Sequence, residues 1–470
     1  MSERAAAEIS ATLALHVATA NYDDLPPATI TATQRALLDG VGVMLAASGL
    51  SEDVRPFVSL ARTMAGPAEA SILGSWERVS PAAAAFANGA MAHALDYEDA
   101  FDAAPTHPNA SLIPAALATA QSVRADGKTL LTAIAVGCDL VCRLALSVGD
   151  ALERAWYPPP ILGAFGAVAA AARLRGLTPA QTLDAFSLML CQTVAPKEIK
   201  HSERTIIRAV REAFPAQAAV VSAALAREGV RGFEQPFEGR GGFFHAFADG
   251  RWSEEMLLAD LGKRFYIEEL SFKPWPCCRG THPYIEAAQR LRTEVGVRAQ
   301  DIRSIRASIG DVQRMLCEPL PRKRAPATSI DAKFSIPFTV AAAFVHPEVT
   351  LDTFTTVQLG NADVLGLAGR VEPIACGTSP TSGALEVELH DGRRYTCEIE
   401  RALGHPARPL SDERLRAKFI SCAARAAVNM SAGQAEAFCA RLAEVRRAEN
   451  TNEVLGEWLQ FVPPRAETRT

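Results

Sequence analysis

Over residues 1 to about 260 the chain keeps almost one period. Ala and Leu dominate, and apolar positions recur three and four residues apart. Breaks come at Pro or Gly, as at Pro26-Pro27, Gly127 and Pro158-Pro159-Pro160. That spacing gathers apolar side chains on one helix face, so this part of the chain is expected to be stacked helices. Leu37 to Gly42 and Leu162 to Leu174 place glycines inside such helices, where small residues allow close packing. Near Tyr266 the pattern changes. Ile302 to Ile309 alternates like a half-buried strand. Leu385 to Leu389 and Arg394 to Ile399 flank Asp391-Gly392, a hairpin signal. Helical runs are expected at Phe334 to Phe344, around Phe354 to Leu359, and from Ser411 through Trp458. The fold class is therefore mainly α. A large all-helical domain is expected from residues 1–265 with 406–470, and a smaller α+β lid domain from 266–405. Pro463 to Thr470 is expected to fray.

The chain has 470 residues, 49% hydrophobic and 21% charged, enough for a sizeable core. Its net charge of −5 argues against a nucleic-acid partner, because a phosphate footprint needs clustered excess Lys and Arg. The start of the chain lacks the basic residues and apolar stretch of a secretory signal. Apolar runs such as Ile161 to Ala172 are shorter than a bilayer needs, so no membrane association is expected. The ten cysteines contain no CxxC pair. They read as free thiols in a reducing cytoplasm rather than as disulfides or a structural zinc site. No HExxH and no clustered carboxylate–histidine ligand set is readable in the sequence, so no metal is expected. Gly163 and Gly166 follow no strand and lack dinucleotide-binding spacing.

Chemistry gathers around a repeated tripeptide, Thr106-His107-Pro108 and Thr281-His282-Pro283. Each precedes a helix-like run, and proline suits a first helical turn. Each histidine should therefore stand at a helix N-terminus, where unpaired N–H groups favour an anion. Asp96, Glu98 and Asp99 precede the first; Lys273, Cys277, Cys278 and Arg279 precede the second. His107 has the intrinsic pKa of a general base near neutral pH. Asp96, three residues after His93, would share its helical face if this stretch is helical, and could orient a base or take the proton itself. Lys273 and Arg279, on a segment stiffened by Pro274 and Pro276, could clamp a carboxylate, as could Arg211. Tyr157, His282 and Cys278 are the choices for a second proton carrier. Each has a plain structural alternative: helix starts for the histidines, a cap or ion pair for Asp96, and surface charge for Lys273, Arg279 and Arg211. For Cys278 it is a packed thiol, and for Tyr157 packing beneath the triple proline. Glu98 and Asp99 read as structural or solvated.

These residues carry a resemblance. His93-Ala-Leu-Asp96-Tyr-Glu-Asp99 with Thr106-His107-Pro108 resembles one signature of the MmgE/PrpD family. Lys273-Pro-Trp-Pro-Cys-Cys-Arg279-Gly-Thr-His282-Pro is similar to a second. Lys333-Phe-Ser-Ile-Pro-Phe338 and Pro409 to Leu415, followed by Lys418-Phe419, resemble two further runs. The resemblance implies a helical domain capped by an α+β lid, usually a homodimer, with the site between the domains and neither metal nor organic cofactor. The activities it implies include 2-methylcitrate dehydration, cis-aconitate decarboxylation and iminodisuccinate epimerisation. Against the decarboxylase branch, Asp96, His107 and Lys273 match active-site positions. Cys278 and Tyr157 stand where that branch has histidines, Arg211 where it has a lysine, Phe338 for a tyrosine and Ala100 for a threonine.

The expected function is an enzyme that abstracts the Cα proton of a small di- or tricarboxylate. A hydro-lyase like 2-methylcitrate dehydratase comes first. An epimerase or decarboxylase on the same scaffold is the alternative, and a non-catalytic carboxylate-binding protein is the alternative of another class.

Overall fold

The structure is a computed structural model that describes residues 9–455, apart from Trp76, Pro105, Glu203, Arg204 and Thr378. The expected helix end at Trp458, the fraying of Pro463 to Thr470 and the first eight residues lie outside the described residues. The protein is mainly α, with small sheets. It divides into two compact units: residues 1–94, 103–270 and 412–470, and residues 95–102 with 271–411.

The inner helices of the first unit are apolar all round, and such helices must be covered on every side. Pro108–Val123 and Pro158–Leu174 are buried along almost their whole length. Gly127–Val148 packs against Pro158–Leu174, where Gly137 and Gly166 bring two backbones together. A Cβ on Gly166 would stand 2.6 Å from the Gly137 carbonyl oxygen. Asp126 starts the Gly127–Val148 helix by accepting from the Thr129 N–H at 2.6 Å. This helix corrects one reading of the sequence. Its 22 residues are long and apolar enough to cross a bilayer, yet its apolar window is almost entirely buried by its neighbours. Buried within it, Arg143 pairs with Asp139 at 2.6 Å. Arg143 also donates to the Leu257, Ala259 and Arg264 carbonyls, tying the chain before Tyr266 to this helix. The C-terminal stretch joins the same unit through Lys418, whose ammonium lies 2.6 Å from Asp39. A two-stranded hairpin at Ala70–Ser71 and Arg78–Val79 was not foreseen.

The second unit holds a four-stranded sheet in the order Val371–Ala375, Ile302–Ile309, Gly383–Leu389, Arg394–Ile399. The first pair is parallel and the others antiparallel. Leu385, Val387 and Leu389 alternate into the core, and Glu386 and Glu388 face Arg306, Arg303 and Arg394 on the two neighbouring strands. Gly392 takes φ +87° at the hairpin turn. The helices His282–Thr293 and Ile336–Val345 share one apolar core with the sheet. Strand Val371–Ala375 was missed from sequence. It contains Pro373, which only an edge strand tolerates, and it lies at the edge.

Candidate functional site

In the second unit, the short stretch 95–102 carries the acids. The preceding helix, Pro81–Ala94, stops before it, and Asp96 adopts φ +50°. A left-handed residue ends a helix, so His93 and Asp96 do not share the helical face read from their spacing. Ala100 and Ser271 exchange backbone hydrogen bonds of 2.9 and 2.8 Å. That stitch carries Lys273, two residues on, to Asp96. The Lys273 ammonium donates to the Asp96 carboxylate at 2.6 Å and to the Asp96 carbonyl at 3.0 Å, and both side chains are buried. Burial pulls Lys273 down, but the Asp96 and Glu98 carboxylates more than offset it, and the ammonium is held charged above its ordinary range. Gly404 makes room for this arrangement. At φ +88° it accepts from the Phe272 N–H at 3.1 Å, and a Cβ there would meet the Phe272 carbonyl oxygen at 2.0 Å.

A second lysine, absent from the candidates read from sequence, reaches the same stretch. Lys333 ends the short helix Ser329–Lys333, and its ammonium donates to the Leu95 carbonyl at 2.9 Å. Two buried lysines therefore hold the consecutive carbonyls of Leu95 and Asp96. Burial pulls Lys333 down to about 8, against the upward pull of Asp96, Cys277 and Glu98. The signal in the sequence was a lone lysine against the apolar run that begins at Phe334.

Arg279 and His282 are placed differently from their sequence reading as clamp and proton carrier. All five Arg279 N–H donors are engaged. They meet the Asp102 carboxylate at 3.2–3.3 Å, the Leu403 and Ala402 carbonyls, the Ser271 hydroxyl and the His282 Nδ1. His282 opens the helix His282–Thr293, as its proline suggested. Arginine can only donate, so His282 Nδ1 accepts from it at 3.2 Å. Nε2 then carries the proton and donates to the Cys277 carbonyl at 3.1 Å. Burial, then Arg279 and Lys273, push this imidazole well below its ordinary pKa, so it is neutral. Cys277 is buried with its sulfur 3.0 Å from the Thr281 hydroxyl, and burial pushes its thiol up. Cys278 is half-buried, and its N–H donates to the Lys333 carbonyl at 3.0 Å.

The first unit holds the remaining candidates. His107 is the N-cap of Pro108–Val123, as its proline implied, with its ring 5.1 Å from that of His93. Tyr157 caps Pro158–Leu174 and lies under the guanidinium of Arg211, 4.8 Å from the ring centre, with Lys200 at 5.2 Å. Arg211 is not surface charge. It is fully buried beside Glu212, 3.0 Å away, and Glu212 accepts from the Ser111 hydroxyl.

Residues 11–255 match the MmgE/PrpD N-terminal domain and residues 275–442 the MmgE/PrpD C-terminal domain. The chain is 24% identical over 427 residues to a cis-aconitate decarboxylase of Aspergillus terreus, covering 85% of this chain and 86% of the relative. It is 27% identical over 426 residues to a cis-aconitate decarboxylase-like protein, oryM, of Aspergillus oryzae, covering 84% and 86%. It is 25% identical over 423 residues to the cis-aconitate decarboxylase of Mus musculus, covering 84% and 83%. With both domains matched in order across most of its length, the chain belongs to the MmgE/PrpD family.

Proposed function

We propose that this protein is a lyase for a small di- or tricarboxylate, working through negative charge that develops on the carbon beside a carboxylate. The carrying observation is the buried pair Asp96–Lys273 with Lys333 on the adjoining carbonyl. Buried ion pairs add little to stability that packed apolar groups would not match. Three ionisable side chains gathered on one stretch of backbone therefore suggest proton chemistry. The names of the relatives support a carboxylate substrate and a lyase reaction.

In this reading Lys273, kept charged by Asp96, stabilises the enolate-like charge that spreads onto a substrate carboxylate. In a decarboxylation the C–CO2 bond breaks, its electrons stay on carbon, and a proton is then added there. In a dehydration the Cα proton leaves first and the β-hydroxyl follows. Both pass through the same charge. The relatives favour decarboxylation of a cis-aconitate-like acid; Cys278, Tyr157, Arg211, Phe338 and Ala100, which differ from the decarboxylase branch, weigh against it, and dehydration is the second reading. Arg279 and His282 shape the loop rather than touch substrate, because their donors and acceptors are already used.

Incubation with cis-aconitate, 2-methylcitrate and iminodisuccinate in deuterated water tests the reading. A deuterated product or a substrate C–H exchanged for deuterium is expected with at least one. Binding of all three, seen as a raised melting temperature, with neither exchange nor product would leave a carboxylate-binding protein instead.

A further inference from the structure

We propose that Lys333 is the group that takes and returns the substrate's carbon-bound proton. The inference rests on the lyase reading and names the proton carrier within it. Two lysines donate to consecutive carbonyls, but only one is matched by a carboxylate. Lys273 has Asp96 at 2.6 Å. Among the described residues, the Lys333 ammonium has the Leu95 carbonyl as its hydrogen-bond acceptor, the Phe354 ring 5.8 Å away, and no carboxylate at ion-pair distance. A buried three-donor head with one acceptor pays to stay charged. Its position is fixed from both sides: the Thr328 hydroxyl caps its helix by accepting from the Asp331 N–H, and the Lys333 carbonyl accepts from Cys278.

The groups around it set its proton affinity. Asp96 and Glu98 on the 95–102 stretch and Cys277 on the Lys273–Cys278 segment raise it; Lys273 and burial lower it, to about 8. Cys278 adjoins it through the backbone. Arg322 and Lys323 on the Leu320–Arg324 helix are turned to Asp331 and to the Phe334 carbonyl. Asp331 on its own helix is held by Arg322, and Asp352 lies on the packed turn Leu351–Phe354. An amine with that affinity is part free base near neutrality, as a general base must be. Its lone pair takes the Cα proton, the C–H electrons move onto the carboxylate held by Lys273, and the ammonium formed returns the proton. In a dehydration that proton goes to the departing hydroxyl, which leaves as water. In a decarboxylation the ammonium protonates the carbanion, and the amine regains a proton from solvent.

The test follows deuterium exchange into substrate against pH for wild type, Lys333→Arg and Lys333→Ala. Arginine keeps the charge and the donor to Leu95 but cannot lose a proton. Wild-type exchange of a substrate C–H, which uses the free amine, is expected to rise with pH through about 8, and decarboxylation, which uses the ammonium, to fall over the same range. Lys333→Arg is expected to melt like wild type, lose exchange by roughly 10²–10⁴-fold and lose that pH limb. Should arginine fail to fold, Lys333→Ala with added small primary amines decides the matter. Rescue that tracks the amines' basicity supports the proposal, and no rescue overturns it. Folded Lys333→Arg with wild-type exchange overturns the role of Lys333 and leaves the lyase reading standing. A wild type that reacts with none of the acids sinks the reading, and the role of Lys333 with it.

Discussion

Asp96 and Lys273 share a buried contact of 2.6 Å, and removing one partner strands the other. Lys273→Met should lower stability by about 3–5 kcal/mol, because it leaves a carboxylate buried without its cation. Asp96→Asn with Lys273→Met should recover most of that loss in urea unfolding while activity stays lost. Asparagine is chosen because it tolerates the positive φ at this position. A double variant no more stable than Lys273→Met alone would show that the pair is kept for folding. This scale was only half legible in the sequence. Asp96, Lys273 and the histidine-proline starts were readable because their residue types and near neighbours carry the signal. The partners of Arg279 and Arg211 were not. Arg279 meets Asp102, 177 residues away, and the burial of Arg211 depends on helices that converge only in three dimensions.

Among the elements, helix His282–Thr293 shows how the loop after the sheet is held. Its Glu286 accepts from the Leu403 N–H at 2.9 Å and from Arg408 at 2.7 Å. Burial raises its pKa, but Arg408 and the Leu403 N–H outweigh it and the net shift is downward. The unfolded chain therefore binds this proton more readily than the folded one. The stabilisation is complete above the ordinary value of 4.5 and is lost as pH falls through the lower, folded value. Glu286→Gln should cost stability at pH 7, and its gap from wild type should close as pH drops below about 4.5. Urea midpoints measured across that range decide it; a gap independent of pH would show that the glutamate acts by shape alone. Element type was legible where the period was long or the turn explicit, as at Ile302–Ile309 and Asp391-Gly392. Five residues with an internal proline, Val371–Ala375, offered no period to read.

For the whole molecule, a homodimer remains a proposal. Val194, Ile206, Ile207 and Phe214 on the helical unit are large apolar side chains left exposed. Light scattering at micromolar concentration should give twice the 50.2 kDa chain mass, and a single-chain mass would refute it. The buried pair in the Gly127–Val148 helix has a consequence for the chain before it folds. As this segment leaves the ribosome it has no neighbours, and its length and apolarity resemble those of an anchor. Asp139 and Arg143 sit one turn apart within it. On insertion scales each such residue at a helix centre costs about 2.5–3.5 kcal/mol, whereas each leucine returns only about half a kilocalorie. The pair that later fastens Leu257 to Arg264 thus acts first as a mark against lodging in a lipid layer. Asp139→Leu with Arg143→Leu should turn the segment into one that a translocon reporter threads across.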